Sequence, residues 1–306
     1  MVDILVGAEI SADDFPPAVW DSDTTGIVQI SSTTFIAGSP AVELNFTAPT
    51  SGTVILSVGM GGSDNGGTNR IHVAPEVRLT NVSGSVVLAA DVTTRGVGTP
   101  GEVGANVHRS RTTLLTGLTA GQLYYARVLY KVSGGSTADI ACREISVTPT
   151  PLGGSFAGRP VRALDFPPAA WAQNSTQINN PSNSGYITGT PEVSVTFTAP
   201  TSGRVLLIVG GALGNGAGGD RIFLSPEVRE TNSSGDLVLS PSVTSRGFGS
   251  DICAGAFHYG SRESVLEGLT PGQLYYAVVK YAVATTDSGG STQDIGCRDI
   301  GVVPIP

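Results

Sequence analysis

Short apolar runs separated by turn residues mark out the whole chain. The segments 43–46 and 192–197 alternate polar and apolar side chains, which is the pattern of a strand with one buried face. The segments 53–59 and 204–210 are nearly continuous apolar runs, as in central strands that are covered on both faces. Turn sequences such as Pro49-Thr50-Ser51-Gly52 lie between the runs. About eight short strands in each half, bounded by such turns, predict an all-β sandwich of jelly-roll type.

The two halves of the sequence repeat each other at an offset of 151 residues. The string FTAPTSG at 46–52 returns unchanged at 197–203, and GQLYYA at 121–126 returns at 272–277. Repeats of this length are tandem domains, because the units of a solenoid are far shorter. A small insertion shifts the register only near the end of the second half.

Pro and Gly cluster between the two halves, where the apolar periodicity lapses. We therefore predict a first β-sandwich domain over 1–148, a Pro/Gly-rich linker over 149–162, and a second homologous β-sandwich domain over 163–306.

Charge is sparse, at 14% of residues, and the net charge is −8. Neutralising phosphates needs clustered Lys and Arg, and here the arginines are scattered singly, so we expect no nucleic-acid partner. An acidic chain has no attraction to an anionic lipid surface, and no apolar run approaches the length of a membrane span. We therefore expect no membrane partner either.

The first residues lack the positive region and the apolar region of a secretory signal, so we expect synthesis in the cytoplasm. Cys142 and Cys297 occupy matched positions in the two halves, whereas Cys253 has no counterpart. This arrangement is neither a disulfide framework nor a zinc motif. We predict that Cys142 and Cys297 are buried, unbonded thiols.

The strings FTAPTSG and GLTxGQLYYA, with a long apolar strand and a Gly-rich loop between them, resemble the globular heads of the complement and tumour-necrosis-factor superfamily. In that family a similar Phe-Thr-Ala-Pro turn leads into a core strand, and a later Leu-x-x-Gly-[Asp/Gln] turn precedes another. The resemblance covers about half of each copy. It implies a ten-stranded jelly roll and association as trimers.

The tandem, Gly-rich and Lys-poor character without a signal segment is also similar to minor tail and capsid-surface proteins of phages that infect bacteria of high GC content. This second resemblance implies a virion component, made in the host cytoplasm and surrounded by other virion proteins.

The Gly-rich segments 59–67 and 210–220 invite comparison with a phosphate-binding loop. Neither is followed by a Lys-Ser/Thr pair or by a helical pattern, so a P-loop is excluded. Ca²⁺ prefers six to eight oxygen ligands, and these segments offer few carboxylates, so Ca²⁺ binding stays open. The residues concerned are Asp64, Asn65, Asn215 and Asp220.

Catalytic signals are weak. His108 and His258 are one residue out of register between the copies, and no Gly-x-Ser-x-Gly elbow is present. Glu76 and Glu227 each precede an Arg by two residues, and in a strand that spacing places both side chains on one face, which favours a salt bridge. We predict no catalytic residue, no metal and no cofactor.

Five arginines recur at matched places in a chain that holds only 17 Lys and Arg. Arg suits bidentate contacts with carboxylates and backbone carbonyls, so these residues are expected either to tie strands together within a domain or to lie between subunits. The pairs are Arg70/Arg221, Arg78/Arg229, Arg95/Arg246, Arg111/Arg262 and Arg143/Arg298.

The segments 124–132 and 275–283 are aromatic-rich and alternate poorly, so both of their faces are expected to contact protein. Together with the superfamily resemblance, this predicts a homo-oligomer, most simply a trimer. The candidate subunit contacts are Arg111, Arg262, Tyr125 and Tyr276.

Three functions follow for testing. The leading one is a non-enzymatic structural component of a phage virion, as a minor tail or capsid-surface decoration protein. The alternative is a lectin-like module that binds host-surface glycan through exposed Tyr and Trp side chains. Trp20 and Trp171 are candidates for stacking on sugar, although the Phe-Pro-Pro turn before each tryptophan favours a role in anchoring the turn to the core. An enzyme that cleaves glycan or peptide is the third.

Overall fold

Strands make up most of the chain in the computed structural model, which describes residues 16–64, 66, 69–100, 107–135, 137–150, 163–214, 221–243, 245–250, 257–284 and 293–305. The strands of the first domain are β1 (Val19–Asp23), β2 (Ile27–Ile30), β3 (Ile36–Ala37), β4 (Glu43–Thr47), β5 (Thr53–Asp64), β6 (Arg70–Leu79), β7 (Val86–Leu88), β8 (Val97–Pro100), β9 (Val107–Leu115), β10 (Leu123–Val132) and β11 (Ala138–Thr150).

The second domain opens with a short 3-10 turn at Ala163–Asp165. Its strands are β12 (Ala170–Asn174), β13 (Ile187–Thr188), β14 (Ser194–Thr198), β15 (Arg204–Gly214), β16 (Arg221–Glu230), β17 (Leu237–Leu239), β18 (Phe248–Ser250), β19 (Phe257–Leu266), β20 (Leu274–Ala284) and β21 (Asp294–Ile305).

Each domain is a sandwich of two antiparallel sheets with the strand order of a jelly roll. In the first domain one sheet runs β1-β11-β5-β9 and the other runs β4-β10-β6-β8. The last strand therefore lies between the first and the third main strands, and the seventh lies between the second and the fourth, which is the double Greek key of a jelly roll. The second domain repeats it as β12-β21-β15-β19 and β14-β20-β16-β18. The prediction of two tandem jelly-roll sandwiches is confirmed.

The core of each domain lies between its sheets, and the repeated strings build it in the same way. Phe46 stacks on Tyr124 at 5.5 Å between ring centroids, and Phe197 stacks on Tyr275 at 5.6 Å. The hydroxyl of Tyr124 also accepts a hydrogen bond from the backbone N–H of Thr119 at 2.9 Å. One aromatic side chain thus fills the core and holds the turn that precedes its own strand.

Gly52 shows why the string TSG is retained in both copies. Its φ is +63°, and a Cβ atom there would lie 2.4 Å from the carbonyl oxygen of Leu118. Gly203 has a φ of +67° and the same relation to Leu269. Only glycine tolerates both the left-handed backbone and the close approach.

The last strand of the first domain continues into the predicted linker. It extends to Thr150, two residues beyond the predicted end at 148. The threonine hydroxyl donates to the carbonyl of Thr53 at 3.0 Å, so this end of the strand is fixed to the neighbouring strand. The rest of the predicted linker, 151–162, lies outside the described residues.

Candidate functional site

The two domains contact each other through surfaces that differ. Strand β9 of the first domain lies against β15, β19 and β21 of the second. Among the described residues, one β-bridge between Gly98 and Tyr259 joins the sheet that contains β8 to the sheet that contains β19. The Oγ of Ser261 accepts a hydrogen bond from the backbone N–H of Thr112 at 2.8 Å.

An ion pair between Arg111 and Asp299 occupies the centre of this contact. The two side chains are 1% and 0% exposed. The guanidinium donates to Asp299 through one terminal nitrogen and, through the other, to the carbonyl oxygens of Val92 at 3.0 Å and Gly96 at 3.1 Å. The arginine thus joins a loop of its own domain to a strand of the other domain.

Burial and charge act against each other in this pair. Burial raises the pKa of Asp299, although the charge of Arg111 acts to lower it. Burial acts to lower the pKa of Arg111, but the charges of Asp299 and Cys297 and the hydrogen bonds to both together outweigh burial, and the pKa is raised. The Oδ1 atom of Asp299 has no hydrogen-bond partner among the described residues. The pair therefore stabilises the contact only while both members are present.

Two apolar clusters flank the ion pair. In the first cluster Ile55 and Leu114 of the first domain pack against Ile208 and Val303 of the second, with Trp171 at the edge. A second cluster fills the other side. Its members are Val92 and Phe35 of the first domain and Ala212, Phe257, Tyr259 and Cys297 of the second.

Tyr259 of the second domain contacts the first domain directly. Its ring meets that of His72 edge-on, with 6.1 Å between centroids, and lies over Gly98. Burial, with the charges of Lys131 and Arg70, lowers the pKa of His72 from 6.5 to about 4, so the imidazole is neutral at physiological pH.

We name the two contacting surfaces by their central residues. The Arg111 face consists of Phe35, Val92, Arg111 and Leu114. The Asp299 face consists of Trp171, Ile208, Ala212, Tyr259, Asp299 and Val303. One face supplies the cation and the other supplies the anion, so the contact is a heterologous one between homologous domains.

Two of the candidate subunit contacts, Tyr125 and Tyr276, lie away from the interdomain contact. Tyr125 and Tyr276 are buried on β10 and β20, and their hydroxyls donate to Glu43 and Glu192. Burial and the carboxylate raise the pKa of each tyrosine to about 12. The structure does not bring them together with Arg111, and their role as subunit contacts stays a prediction.

Arg262 occupies the position in the second domain that Arg111 occupies in the first. It donates to the carbonyl oxygens of Val243 at 2.8 Å and Gly247 at 3.1 Å, as Arg111 does to Val92 and Gly96. It is half-buried rather than enclosed. Its role as a subunit contact also stays a prediction.

Most of the other matched arginines tie elements together within one domain. Arg78 donates to Glu76 at 2.7 Å, and Arg229 donates to Glu227 at 2.8 Å, so the predicted salt bridges are confirmed. Buried Arg143 donates to Asp23 and to the carbonyl oxygen of Pro40, both at 3.1 Å. Arg298 donates in the same way to the carbonyl oxygen of Pro191. Arg95 donates to the carbonyl oxygen of Leu114, and Arg246 donates to that of the matching Val265.

Two sequence expectations need correction. Cys297 is buried and unbonded as predicted, but Cys142 is unbonded and only half-buried, with its sulfur 3.7 Å from Nδ1 of His108. Trp20 does not anchor its turn in the core, since it is 65% exposed, whereas Trp171 is half-buried at the domain contact. Both errors have one cause: matched residues lie on a face that is covered in the second domain and uncovered in the first.

Of the candidate Ca²⁺ ligands, only Asp64 lies within the described residues. Asp64 is buried and accepts hydrogen bonds from the backbone of Asn69 and the hydroxyl of Thr137, while Asn65, Asn215 and Asp220 lie outside the described residues. Within the described ranges no group of three His, Cys, Asp or Glu residues is placed to hold a metal ion. In the same ranges no helix is long and apolar enough to cross a membrane.

The sequence did not single out Asp299. It follows Cys297 and Arg298 as Glu144 follows Cys142 and Arg143, so an acid at this matched place was the available signal. Its partner is 188 residues earlier in the chain, and no local spacing indicates the pairing.

No protein-family model and no curated protein sequence matches this chain. Among solved structures, the tandem CBM22-1–CBM22-2 domain of Xyn10C from Paenibacillus barcinonensis is similar at 10% identity and a TM-score of 0.26, over 93% of this chain and 92% of that one. The VP2 subviral particle of infectious bursal disease virus is similar at 11% identity and a TM-score of 0.32, over 97% and 75%. PNGF-II is similar at 12% identity and a TM-score of 0.34, over 94% and 66%. These values are too low for a functional conclusion to follow from the likeness.

Proposed function

We propose that this chain is a non-enzymatic structural component of a phage virion, as a minor tail or capsid-surface protein whose β-domains pack against one another and against other virion proteins. The observation that carries the proposal is the heterologous contact between the domains. A cationic face on one jelly roll covers an anionic face on the next, with apolar clusters around a buried ion pair. A contact of this kind can be repeated by further domains, which is what a building block requires.

The use of charge within each domain supports the same proposal. In a chain with few cations, the matched arginines bind carboxylates and carbonyls that fix loops to strands. Rigid domains of this kind suit display and packing, because little conformational entropy is lost when their surfaces are covered. In this proposal the protein is made in the host cytoplasm and becomes part of the particle.

A peptide inventory of purified particles tests the proposal. Particles of the phage that encodes the chain are purified by density gradient, and their tryptic peptides are identified by mass spectrometry alongside the soluble lysate. We expect peptides of the chain in the particle fraction at a fixed ratio to a known capsid protein. Peptides found only in the soluble fraction would contradict the proposal.

One observation favours the alternative, a glycan-binding module. Trp20 is 65% exposed on β1, and an exposed indole ring suits stacking on a sugar. Retention on immobilised host-surface glycan, compared between the wild-type chain and Trp20→Ala, tests this function. Retention that the substitution abolishes, with an unchanged circular dichroism spectrum, would support glycan binding, and no retention of the wild-type chain would exclude it for the glycans used.

A further inference from the structure

Both faces of the interdomain contact have counterparts elsewhere on the chain. The counterpart of the Arg111 face lies on the second domain, and we call it the Arg262 face. It consists of Tyr186, Val243, Arg262 and Val265. The counterpart of the Asp299 face lies on the first domain, and we call it the Glu144 face. It consists of Trp20, Ser57, Gly61, His108, Glu144 and Thr148.

Strand register establishes these equivalences. Gly59 is opposite Glu144 in the first domain, as Gly210 is opposite Asp299 in the second. On the neighbouring strand, Val58 is opposite Arg111, as Val209 is opposite Arg262. Each counterpart side chain therefore leaves the same point of the same sheet in the same direction.

Burial shows that the counterpart faces are uncovered within one chain. Leu114 is 0% exposed and its counterpart Val265 is 37% exposed. Asp299 and Tyr259 are buried, whereas their counterparts Glu144 and His108 are exposed.

A cavity on the Arg262 face has the position that a side chain fills on the Arg111 face. The ring of Tyr259, from the second domain, packs among Phe35, His72 and Val92 of the first domain. In the second domain the corresponding place is an open cavity, lined in part by Tyr186, Phe223 and Val243. These lining residues are the counterparts of Phe35, His72 and Val92. The side chain that corresponds to Tyr259 is His108, which is exposed on the Glu144 face of the first domain.

We infer that the Glu144 face of one copy of this chain binds the Arg262 face of a second copy, repeating between chains the contact that Arg111 and Asp299 make within one chain. In this contact Arg262 pairs with Glu144 and His108 enters the cavity beside Tyr186. The inference rests on the proposed function, since an assembling subunit is what needs such a contact. Because the faces lie on different domains, each copy keeps one of each to offer, and chains join head to tail into a ring or an open row.

The uncovered pair of faces is more polar than the covered pair. Ser57 and Thr148 stand where the second domain has Ile208 and Val303. Less apolar area is removed from water on contact, so the association between chains is weaker than the contact between the domains. Such a surface keeps the free subunit soluble until it assembles.

The test uses charge reversal of each face separately. Arg262→Glu inactivates one face and Glu144→Arg inactivates the other, so each variant alone is expected to associate at least about thirtyfold more weakly than the wild-type chain. An equimolar mixture of the two variants should recover association, because the unchanged Glu144 and Arg262 faces pair as in the wild-type chain and the two reversed faces again carry opposite charges. The chain carrying both substitutions should recover association. Native mass spectrometry and sedimentation at tens of micromolar measure all four.

Substitutions at exposed positions allow the test to be made even if Arg262→Glu fails to fold. Glu144 and Val265 are exposed, so Glu144→Arg and Val265→Lys can each be used to weaken one face without disturbing the fold. Asp236→Arg, on an exposed turn outside both faces, changes the net charge as Glu144→Arg does and should leave association unchanged. His108→Tyr, which installs the aromatic residue of the second domain, should tighten association about tenfold.

The outcomes separate this inference from the proposed function. A wild-type chain that stays monomeric, or oligomers that neither charge reversal weakens, would overturn the inference whatever the particle inventory shows. Association that follows the expected pattern, in a protein absent from purified particles, would support the inference and contradict the virion role.

Discussion

Replacing Arg111 with methionine tests whether the buried ion pair holds the two domains together. Methionine keeps most of the volume but leaves the carboxylate of Asp299 in the contact without its cation, and it removes the donors to the carbonyls of Val92 and Gly96. Removing one member of a buried pair costs about 3–5 kcal/mol of unfolding free energy. We expect a loss in that range at pH 7.

The cost of protonating Asp299 gives an independent value for this loss of unfolding free energy. The ordinary pKa of Asp299 is 3.8. Protonating the carboxyl to avoid an unpaired buried charge costs about 4 kcal/mol at pH 7, since each pH unit above that pKa is worth about 1.4 kcal/mol. At pH 5 the same step costs about 2 kcal/mol. Arg111→Met should therefore be less destabilising at pH 5 than at pH 7, and the double variant with Asp299→Leu should recover much of the loss at both pH values.

The second domain supplies the matched control. Arg262 makes the same two carbonyl contacts as Arg111 but is half-buried, so Arg262→Met should cost only about 1–2 kcal/mol in the monomer. Urea denaturation is followed by circular dichroism and by tryptophan fluorescence, to which Trp171 at the contact contributes. Uncoupled domains should unfold in separate transitions in Arg111→Met. Equal losses for Arg111→Met and Arg262→Met, with no change between pH 5 and 7, would refute the reasoning.

Three further predictions concern single side chains. Burial lowers the pKa of His72 to about 4, whereas its value in the unfolded chain is near 6.5. The free energy of unfolding should therefore be at its full value above pH 6.5 and be lower by about 2 kcal/mol at pH 5, because the unfolded chain takes up a proton that the folded chain does not. A urea titration of His72→Phe, which cannot take up the proton, should not show this decrease. In dilute native protein a thiol reagent at pH 8 should label half-buried Cys142 and spare Cys297, whose pKa burial raises to about 11; equal labelling of the two peptides by mass spectrometry would contradict this. Gly52→Ala should cost about 1–3 kcal/mol, and more than Gly117→Ala, because both glycines have positive φ but only at Gly52 would the Cβ meet a carbonyl oxygen at 2.4 Å; equal thermal shifts for the two would show that the close approach is relieved.

The fold could be predicted because its signals are local and occur twice. Alternation, turn residues and the strings FTAPTSG and GQLYYA each act over a few residues, and the second copy repeats them. The Glu76–Arg78 pair could be predicted for the same reason, since residues two apart share one face of a strand. The partner of Arg111 could not, because it depends on how two separate domains are placed.

A signal for the covered face was nevertheless present in the differences between the copies. Along the outer face of one sheet the first copy has Ser57, Gly61, His108 and Thr148. The second copy has Ile208, Ala212, Tyr259 and Val303 at those places. An outward position that is apolar in only one of two homologous domains is typical of a surface that is covered only there. Comparing the copies for their differences, rather than for their shared residues, would have located the interface and predicted an exposed Trp20.

The same comparison explains why the two contacts should differ in strength. The domains of one chain are linked, so the effective concentration of one face for the other is far above the concentration of free chains in solution. The internal contact therefore forms in every molecule, and its faces are covered as soon as the chain folds. Apolar residues such as Ile208 and Val303 are shielded from solvent there, and their burial stabilises the contact. In the assembly that we infer, the Glu144 and Arg262 faces are exposed until another chain binds, and Ser57 and Thr148 at the matching places would keep the free subunit from aggregating. The inferred assembly thus accounts for a shared sheet geometry with divergent polarity, since one contact would be permanent and the other would form only when chains associate.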